Sequence, residues 1–281
     1  MSNSSLIEKY DNFCIDLDGV MWNGHNAIEG SSDAVEFLRS HNKKVFFVTN
    51  NAALTREELQ QRFSSMGITS PTENLYTTGY AILKYLKLNY PGASKLVVLG
   101  MPGLRKYLKD EGYQVIYPPE MENPVTDLQS LQQFEVEPGI QVVVVAYDIN
   151  FDYFGALYCA ACIQNGAKMV GLNQDRFFIF GKSMIPASGC SISFIETATG
   201  VKADIVGKPV RFLFDIIVQE QGIDPKKTLM IGDSMESDIL FGINSGIDTA
   251  LVLSGVTTLD KVETFTHRPN YILDCLGKVI E

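Results

Sequence analysis

The chain has 281 residues, 46% of them hydrophobic and 20% charged, with a formal net charge of −10. That is enough apolar material for a sizeable core, in one large domain or two. No apolar run has the length of a membrane-spanning helix, the start "MSNSSLIEKYDN" lacks the pattern of a secretory signal, and the acidic balance argues against nucleic acid or an anionic membrane as partner.

The first element, "DNFCIDLD", reads as a buried strand that ends in two carboxylates, Asp16 and Asp18, and breaks at Gly19. Burying ionised groups at a strand end is costly unless they are paired or bound. "SSDAVEFLRSHN" reads as a helix with Ala34, Val35, Phe37 and Leu38 on its apolar face, and "KKVFFVTNN" as a strand that stops in Thr49, Asn50 and Asn51. "LTREELQQRFSSMGI" opens with a capping box, Thr55 and Glu58, and "GYAILKYLKLNYPG" is a third helix closed by Pro91 and Gly92.

The middle of the chain repeats the alternation. "SKLVVLG" and "YQVIYPP" read as strands around the helix "GLRKYLKDEG", and "IQVVVVAYD" is a β-branched buried strand. The polar stretch "PEMENPVTDLQSLQQFEVEPG" reads as an exposed connection. "YFGALYCAACIQNG" is a helix and "AKMVGLN" a strand.

From Ile185 onward come the helix "CSISFIETATG", a strand "KADIVGKP" ending at Lys208 and Pro209, and the helix "VRFLFDIIVQEQG". Then follow the strand "KTLMIGDS" ending at Asp233, the helix "SDILFGINSG" and the strand "DTALVLSG". Repeated strand–helix units imply an α/β fold with parallel sheet and right-handed crossovers.

The five cysteines, Cys14, Cys159, Cys162, Cys190 and Cys275, are odd in number and scattered, which fits a reducing cytoplasmic compartment. Cys159 and Cys162 lie in an Ala-rich helical pattern and read as two small buried helix residues, with a redox or metal pair as the alternative. The three histidines show no metal-type spacing.

Open parallel sheets bind ligands at the carboxyl ends of their strands. Four strand ends here carry Asp16 with Asp18, Thr49 to Asn51, Lys208, and Asp233 with Asp238 close behind. Carboxylates gathered at one pole need a cation, and oxygen donors without His or Cys favour Mg²⁺. One acid can attack a phosphoryl group while the other donates a proton, with a hydroxyl and a lysine on the phosphoryl oxygens.

"DLDGV", "VTNN", "VGKP" and "GDSMESDI", in this order, resemble the motifs of haloacid-dehalogenase-superfamily phosphatases. The resemblance covers essentially the whole chain and is to the branch holding phosphoglycolate phosphatase, pyridoxal phosphatase and 4-nitrophenylphosphatase. It implies a Rossmann-like core over 1–91 and 185–281, with an α/β cap inserted over 92–184. It implies that Asp16 is the nucleophile, that Asp18 is the general acid and then base, and that Lys208 steadies Asp16 and the phosphoryl oxygens. Thr49, Asn50 and Asn51 would bind phosphate. Mg²⁺ would be held by Asp16, the Asp18 carbonyl and Asp233, with Asp238 orienting the metal water or Lys208.

The family's Asn-x-Asp in the cap is matched by Asn173 and Asp175 in "GLNQDRFF", which makes 175–183 the specificity loop, with Phe178 facing substrate. Pyridoxal phosphatases carry a histidine in that loop. This chain has Phe177 and Phe178 there and no histidine between His41 and His267, which favours a phosphoglycolate-like substrate over a vitamin B6 one. Glycerol phosphate and 4-nitrophenyl phosphate belong to the same implied class. The resemblance further implies a homodimer through the cap. A non-catalytic member that binds a phosphorylated ligand is the rival reading. The second acid, Asp18, argues against it, since a pure binder has no need of one.

Overall fold

The computed structural model describes residues 4–280. In chain order the elements begin with α1 (Ser4–Lys9), β1 (Asn12–Ile15), β2 (Trp22–Asn23), β3 (Asn26–Ala27), α2 (Ser31–Ser40), β4 (Lys44–Thr49), α3 (Arg56–Ser65), β5 (Leu75–Thr77) and α4 (Thr78–Asn89). They continue with β6 (Lys95–Leu99), α5 (Pro102–Asp110), β7 (Gln114–Ile116), β8 (Val142–Val145), α6 (Tyr153–Gln164), β9 (Lys168–Gly171), β10 (Phe177–Phe180), β11 (Ser183–Pro186) and α7 (Ser188–Thr199). The last are β12 (Asp204–Ile205), α8 (Phe212–Gln221), β13 (Thr228–Gly232), α9 (Leu240–Ser245), β14 (Asp248–Val252), α10 (Leu259–Val262) and β15 (Tyr271–Leu273).

The chain divides into two compact units. One comprises Met1–Ala81, Ile179–Ser183 and Gly207–Glu281, and the other Ile82–Phe178 and Met184–Val206. The first holds a six-stranded sheet in the order β15-β14-β13-β1-β4-β5, with every pairing parallel. β1 is central. The chain leaves it toward β4 on one side, and β13 flanks it on the other, so β1 sits at the point where strand order reverses. Its residues are all buried, as a parallel strand covered on both faces requires. One face packs Phe13, Ile15, Phe47 and Ile231 against Ala34, Val35 and Leu38 of α2 and Phe63 of α3.

The second unit has its own five-stranded parallel sheet, in the order β12-β9-β8-β6-β7. Its core joins Val97, Leu99, Val143 and Val145 to Phe154, Tyr158, Cys159 and Cys162 of α6 and Ile192 and Ile195 of α7. Cys159 and Cys162 are therefore core residues, and all five cysteines are free thiols.

Three elements differ from the sequence reading. β12 pairs with β9 in the second sheet, so Lys208 does not end a strand of the sheet that carries Asp16. It lies three residues beyond Ile205, on the connection between units. Pro209 follows a cis peptide, and α8 begins only at Phe212, so this proline does not open the helix. The expected loop at 175–183 contains β10 and the first residue of β11, the two strands of a hairpin around Gly181. The polar stretch after β7 is exposed over much of its length. Even so, Phe134 and Val136 pack on the second core, and the backbone N–H of Glu137 donates to the Tyr158 hydroxyl.

Candidate active site

Asp16 follows β1 directly, and its backbone N–H continues the ladder to the Ile231 carbonyl at 2.9 Å. Its carboxylate lies over the carboxyl edge of the central strand. Lys208, only 1% exposed, reaches it there. The ammonium donates to Asp16 Oδ1 at 2.6 Å, to Asp238 Oδ1 at 2.6 Å and to the Val48 carbonyl at 2.9 Å, so each of its three protons has an acceptor. Asn50 fixes the backbone beneath it. Its side-chain amide donates to the Lys208 carbonyl at 3.0 Å, and its Oδ1 accepts from the Lys208 N–H at 2.8 Å. Thr78 Oγ1 in turn donates to the Asn50 carbonyl at 2.9 Å. These contacts bring Lys208 to the strand edge although no strand delivers it.

Asp18 stands on the solvent side of the same turn. Its Oδ1 accepts from the Trp22 indole N–H at 2.8 Å, and its Oδ2 from Asn51 Nδ2 at 3.3 Å. The turn is closed by Gly19, whose N–H donates to the Trp22 carbonyl at 2.7 Å and whose φ is +85°. That φ suits glycine, and so does the space: a Cβ there would sit 2.2 Å from Asp233 Oδ2. At the ends of the neighbouring strands, the buried Thr49 hydroxyl accepts from the Asn51 N–H at 3.0 Å, and Asp233 Oδ2 accepts from the Val256 N–H at 2.7 Å. A Cβ on Gly255 would overlap the same carboxylate oxygen, so the loop after β14 presses its backbone onto Asp233.

The electrostatics follow from this crowding. Asp16, Asp233 and Asp238 each offer a carboxylate oxygen within 4.8 Å of the others, and all three are buried. Burial, with the charges of Asp238 and Asp233 added, pushes the Asp16 carboxyl well above its usual range against the pull of Lys208. Burial and then the Asp238 charge push Asp233 up to about 8. Burial alone would pull the Lys208 ammonium down. The Asp16 and Asp238 carboxylates outweigh it and hold Lys208 above its ordinary value.

Three carboxylates facing one ammonium leave an excess of negative charge in a poorly solvated space. Asp238 is committed to Lys208 and, through Oδ2, to the Ser234 N–H at 3.0 Å. Asp16 and Asp233 are the remaining pair, and an all-oxygen donor set fits a hard divalent cation.

Asp16, Asp18, Thr49, Asn50, Asn51, Lys208, Asp233 and Asp238 thus come together in the first unit. Asn173, Asp175 and Phe178 belong to the second. There Asn173 is buried and its Oδ1 accepts from the Asp175 N–H at 3.2 Å, while the Asp175 carbonyl accepts from the Gly189 N–H at 2.9 Å. Phe178 packs edge-on to Tyr147, with centroids 5.2 Å apart. Sequence reasoning missed Trp22 and the Gly255–Val256 backbone. The signal for the second was present, because "VLSG" is a fifth strand end with a hydroxyl and a glycine.

Residues 13–114 match the model of the haloacid dehalogenase-like hydrolases and residues 205–279 that of the HAD-hydrolase-like group. Phosphoglycolate phosphatase 2 of Arabidopsis thaliana is 32% identical over 286 residues, covering 99% of this chain and 94% of the relative. The glycerol-3-phosphate phosphatase of Homo sapiens is 33% identical over 287 residues, covering 98% and 87%. The crystal structure of a 4-nitrophenylphosphatase from Thermotoga maritima superposes with a TM-score of 0.83 at 25% identity, covering 98% of this chain and 97% of that one. The chain belongs to the haloacid dehalogenase-like hydrolase family and is one of its phosphatases.

Proposed function

We propose that the protein hydrolyses small phosphomonoesters in two steps through a phosphorylated Asp16, with Mg²⁺ as its ion. In the first step an Asp16 oxygen attacks phosphorus and the bond to the leaving oxygen breaks. Asp18 gives that oxygen its proton. In the second, Asp18 takes a proton from water, the water oxygen attacks phosphorus, and the bond to Asp16 breaks to release phosphate. Lys208 holds Asp16 in place and balances charge on the phosphoryl oxygens. Thr49 and the Asn50–Asn51 backbone offer further contacts to them. Asp16, the Asp18 carbonyl and Asp233 would hold Mg²⁺, which supplies further charge neutralisation at the phosphoryl group. Asp238 keeps Lys208 aimed at Asp16.

The observation that carries this reading is the pair of carboxylates in unlike settings two residues apart. Asp16 is buried on an ammonium, and Asp18 is exposed and held by two neutral donors. A nucleophile beside an acid–base needs such a division of roles.

We infer a phosphoglycolate-like substrate first, supported by the likeness to the Arabidopsis enzyme over 99% of the chain. Glycerol phosphate is the second reading, supported by the likeness to the human enzyme at 33% identity. Asn173, Asp175 and Phe178 in the insert at 92–184 would choose the leaving group. The five free thiols support a cytoplasmic site of action. The exposed rings of Tyr153 and Phe194, beside Phe151 in the second unit, support pairing of two copies through that unit.

The test is phosphate release from phosphoglycolate, glycerol phosphate, pyridoxal phosphate and 4-nitrophenyl phosphate, with and without Mg²⁺. Release that needs the ion, with phosphoglycolate or glycerol phosphate ahead, is the expected result. Release from none of them would favour a non-catalytic ligand-binding member.

A further inference from the structure

The chain contains one tryptophan, and its indole N–H is spent on the exposed acid of the site. Trp22 is itself 1% exposed, so a buried donor is directed at a carboxylate that solvent reaches. Its ring is fixed on two sides. The Arg62 guanidinium carbon lies 4.0 Å from the ring centroid, and Phe63 meets the ring edge-on at 5.3 Å. Arg62 also donates through Nη2 to the Gly24 carbonyl, just beyond the tryptophan. The backbone is fixed as well, since the Trp22 carbonyl accepts from Gly19 at 2.7 Å and Asn23 Nδ2 donates to the Ser254 carbonyl at 3.1 Å.

This is more anchoring than a surface turn requires. An exposed aspartate without such a partner samples several rotamers, and a proton donor must lie within hydrogen-bond reach of the atom it serves.

We propose that Trp22, clamped by Arg62 and Phe63, is a positioning residue that fixes Asp18 and assigns its two oxygens different tasks. The indole N–H can only donate, so it occupies Oδ1 as an acceptor and leaves the transferable proton to Oδ2. Asn51 touches that second oxygen at 3.3 Å, the long end of hydrogen bonding, and so leaves it able to exchange its proton. In the first step the P–O bond breaks with its electron pair going to the leaving oxygen, and the Oδ2 proton goes to that same oxygen. The proposal rests on the phosphatase reading above, with Asp18 as the acid.

The leaving group separates a positioning role from a structural one. An alkyl phosphate expels an alkoxide that needs the proton. 4-Nitrophenyl phosphate expels a stabilised anion that does not. The parameter kcat/KM reports the first irreversible step, the phosphorylation of Asp16, and is compared for glycerol phosphate and 4-nitrophenyl phosphate.

In Trp22→Phe, which keeps a ring against Phe63 and deletes the N–H, kcat/KM for glycerol phosphate should fall by about 10-fold or more and for 4-nitrophenyl phosphate by less than about 3-fold. The smaller ring could also loosen packing. A second probe therefore replaces the single tryptophan by benzothienylalanine, which keeps the bicyclic shape with sulfur in place of N–H, and should show the same split. In an Asp18→Asn background the loss of the N–H should have no further effect on the split. Equal losses on both substrates, no loss, or a split that persists without Asp18 would overturn the proposal. Failure of the unmodified protein to hydrolyse either substrate would instead overturn the phosphatase reading on which it rests.

Discussion

Lys208 is the residue on which the charges of the site converge. It is fully buried between two carboxylates, and removing one partner of such a contact costs far more than the contact itself contributes. Lys208→Met should therefore lower unfolding stability by about 3 kcal/mol or more in the presence of a chelator, measured by urea denaturation, and should abolish phosphate release. Unchanged stability would mean that Asp16 and Asp238 do not depend on the ammonium.

Most of this site was legible in the sequence. Asp16, Asp18, Thr49 and Asp233 follow apolar strands, where a polar run is conspicuous. Lys208 was found by its motif, although the strand supposed to deliver it lies in another sheet. Trp22 was hidden because an aromatic residue beside an apolar strand reads as core, and it is core on every side but its N–H. The Val256 N–H on Asp233 is a backbone group, signalled in the sequence only by "VLSG", a strand end with a hydroxyl and a glycine.

At the scale of elements, the amino-terminal helix α1 is held by side chains rather than by a ladder. Lys9 Nζ donates to Asp248 Oδ2 at 2.8 Å and to the Tyr271 hydroxyl at 2.9 Å, and the Tyr10 hydroxyl donates to the same Asp248 oxygen. Partial burial raises the Asp248 carboxyl, but Lys9 and Tyr10 outweigh it and hold it below its ordinary value. Because the folded value is lowered, this contribution is present above the unfolded value of 3.8 and is lost as pH falls through the lower folded one. Asp248→Asn should thus speed hydrogen exchange over Leu6–Tyr10 at neutral pH, and the wild type and variant should converge in acid. Equal exchange at neutral pH would assign the docking of α1 to Leu6 and Tyr10 burial alone.

Long periodic elements were read correctly because both faces of β1, β4 and β8 are covered. β5 and β15 escaped notice. Each has three residues and a single parallel partner in an established sheet, so tertiary pairing rather than its own pattern makes it a strand.

At the scale of the whole molecule, each unit has its own parallel sheet, with one buried thiol, Cys14, in the first and two, Cys159 and Cys162, in the second. Burial pushes the Cys14 thiol up to about 12, against the pull of Lys208, and pushes Cys162 up to about 12 as well. Cys159 is raised by the same cause. Cys190 is exposed. Native protein treated with an alkylating reagent near pH 8 should be modified at Cys190 while Cys14, Cys159 and Cys162 stay protected, read by peptide mass spectrometry. Rapid loss of Cys159 or Cys162 would contradict the packing of the second core.

The central claim is that the phosphoryl group passes through Asp16. The most direct measurement is an acid quench of the protein turning over radiolabelled 4-nitrophenyl phosphate, whose leaving group needs no proton from Asp18, followed by peptide mapping. Asp18→Asn is included to slow the second step. The account predicts an acid-stable, hydroxylamine-sensitive label on the peptide that carries Asp16, increased in Asp18→Asn and absent in Asp16→Asn. Turnover with no trapped label in either protein, or a label on another residue, would contradict it.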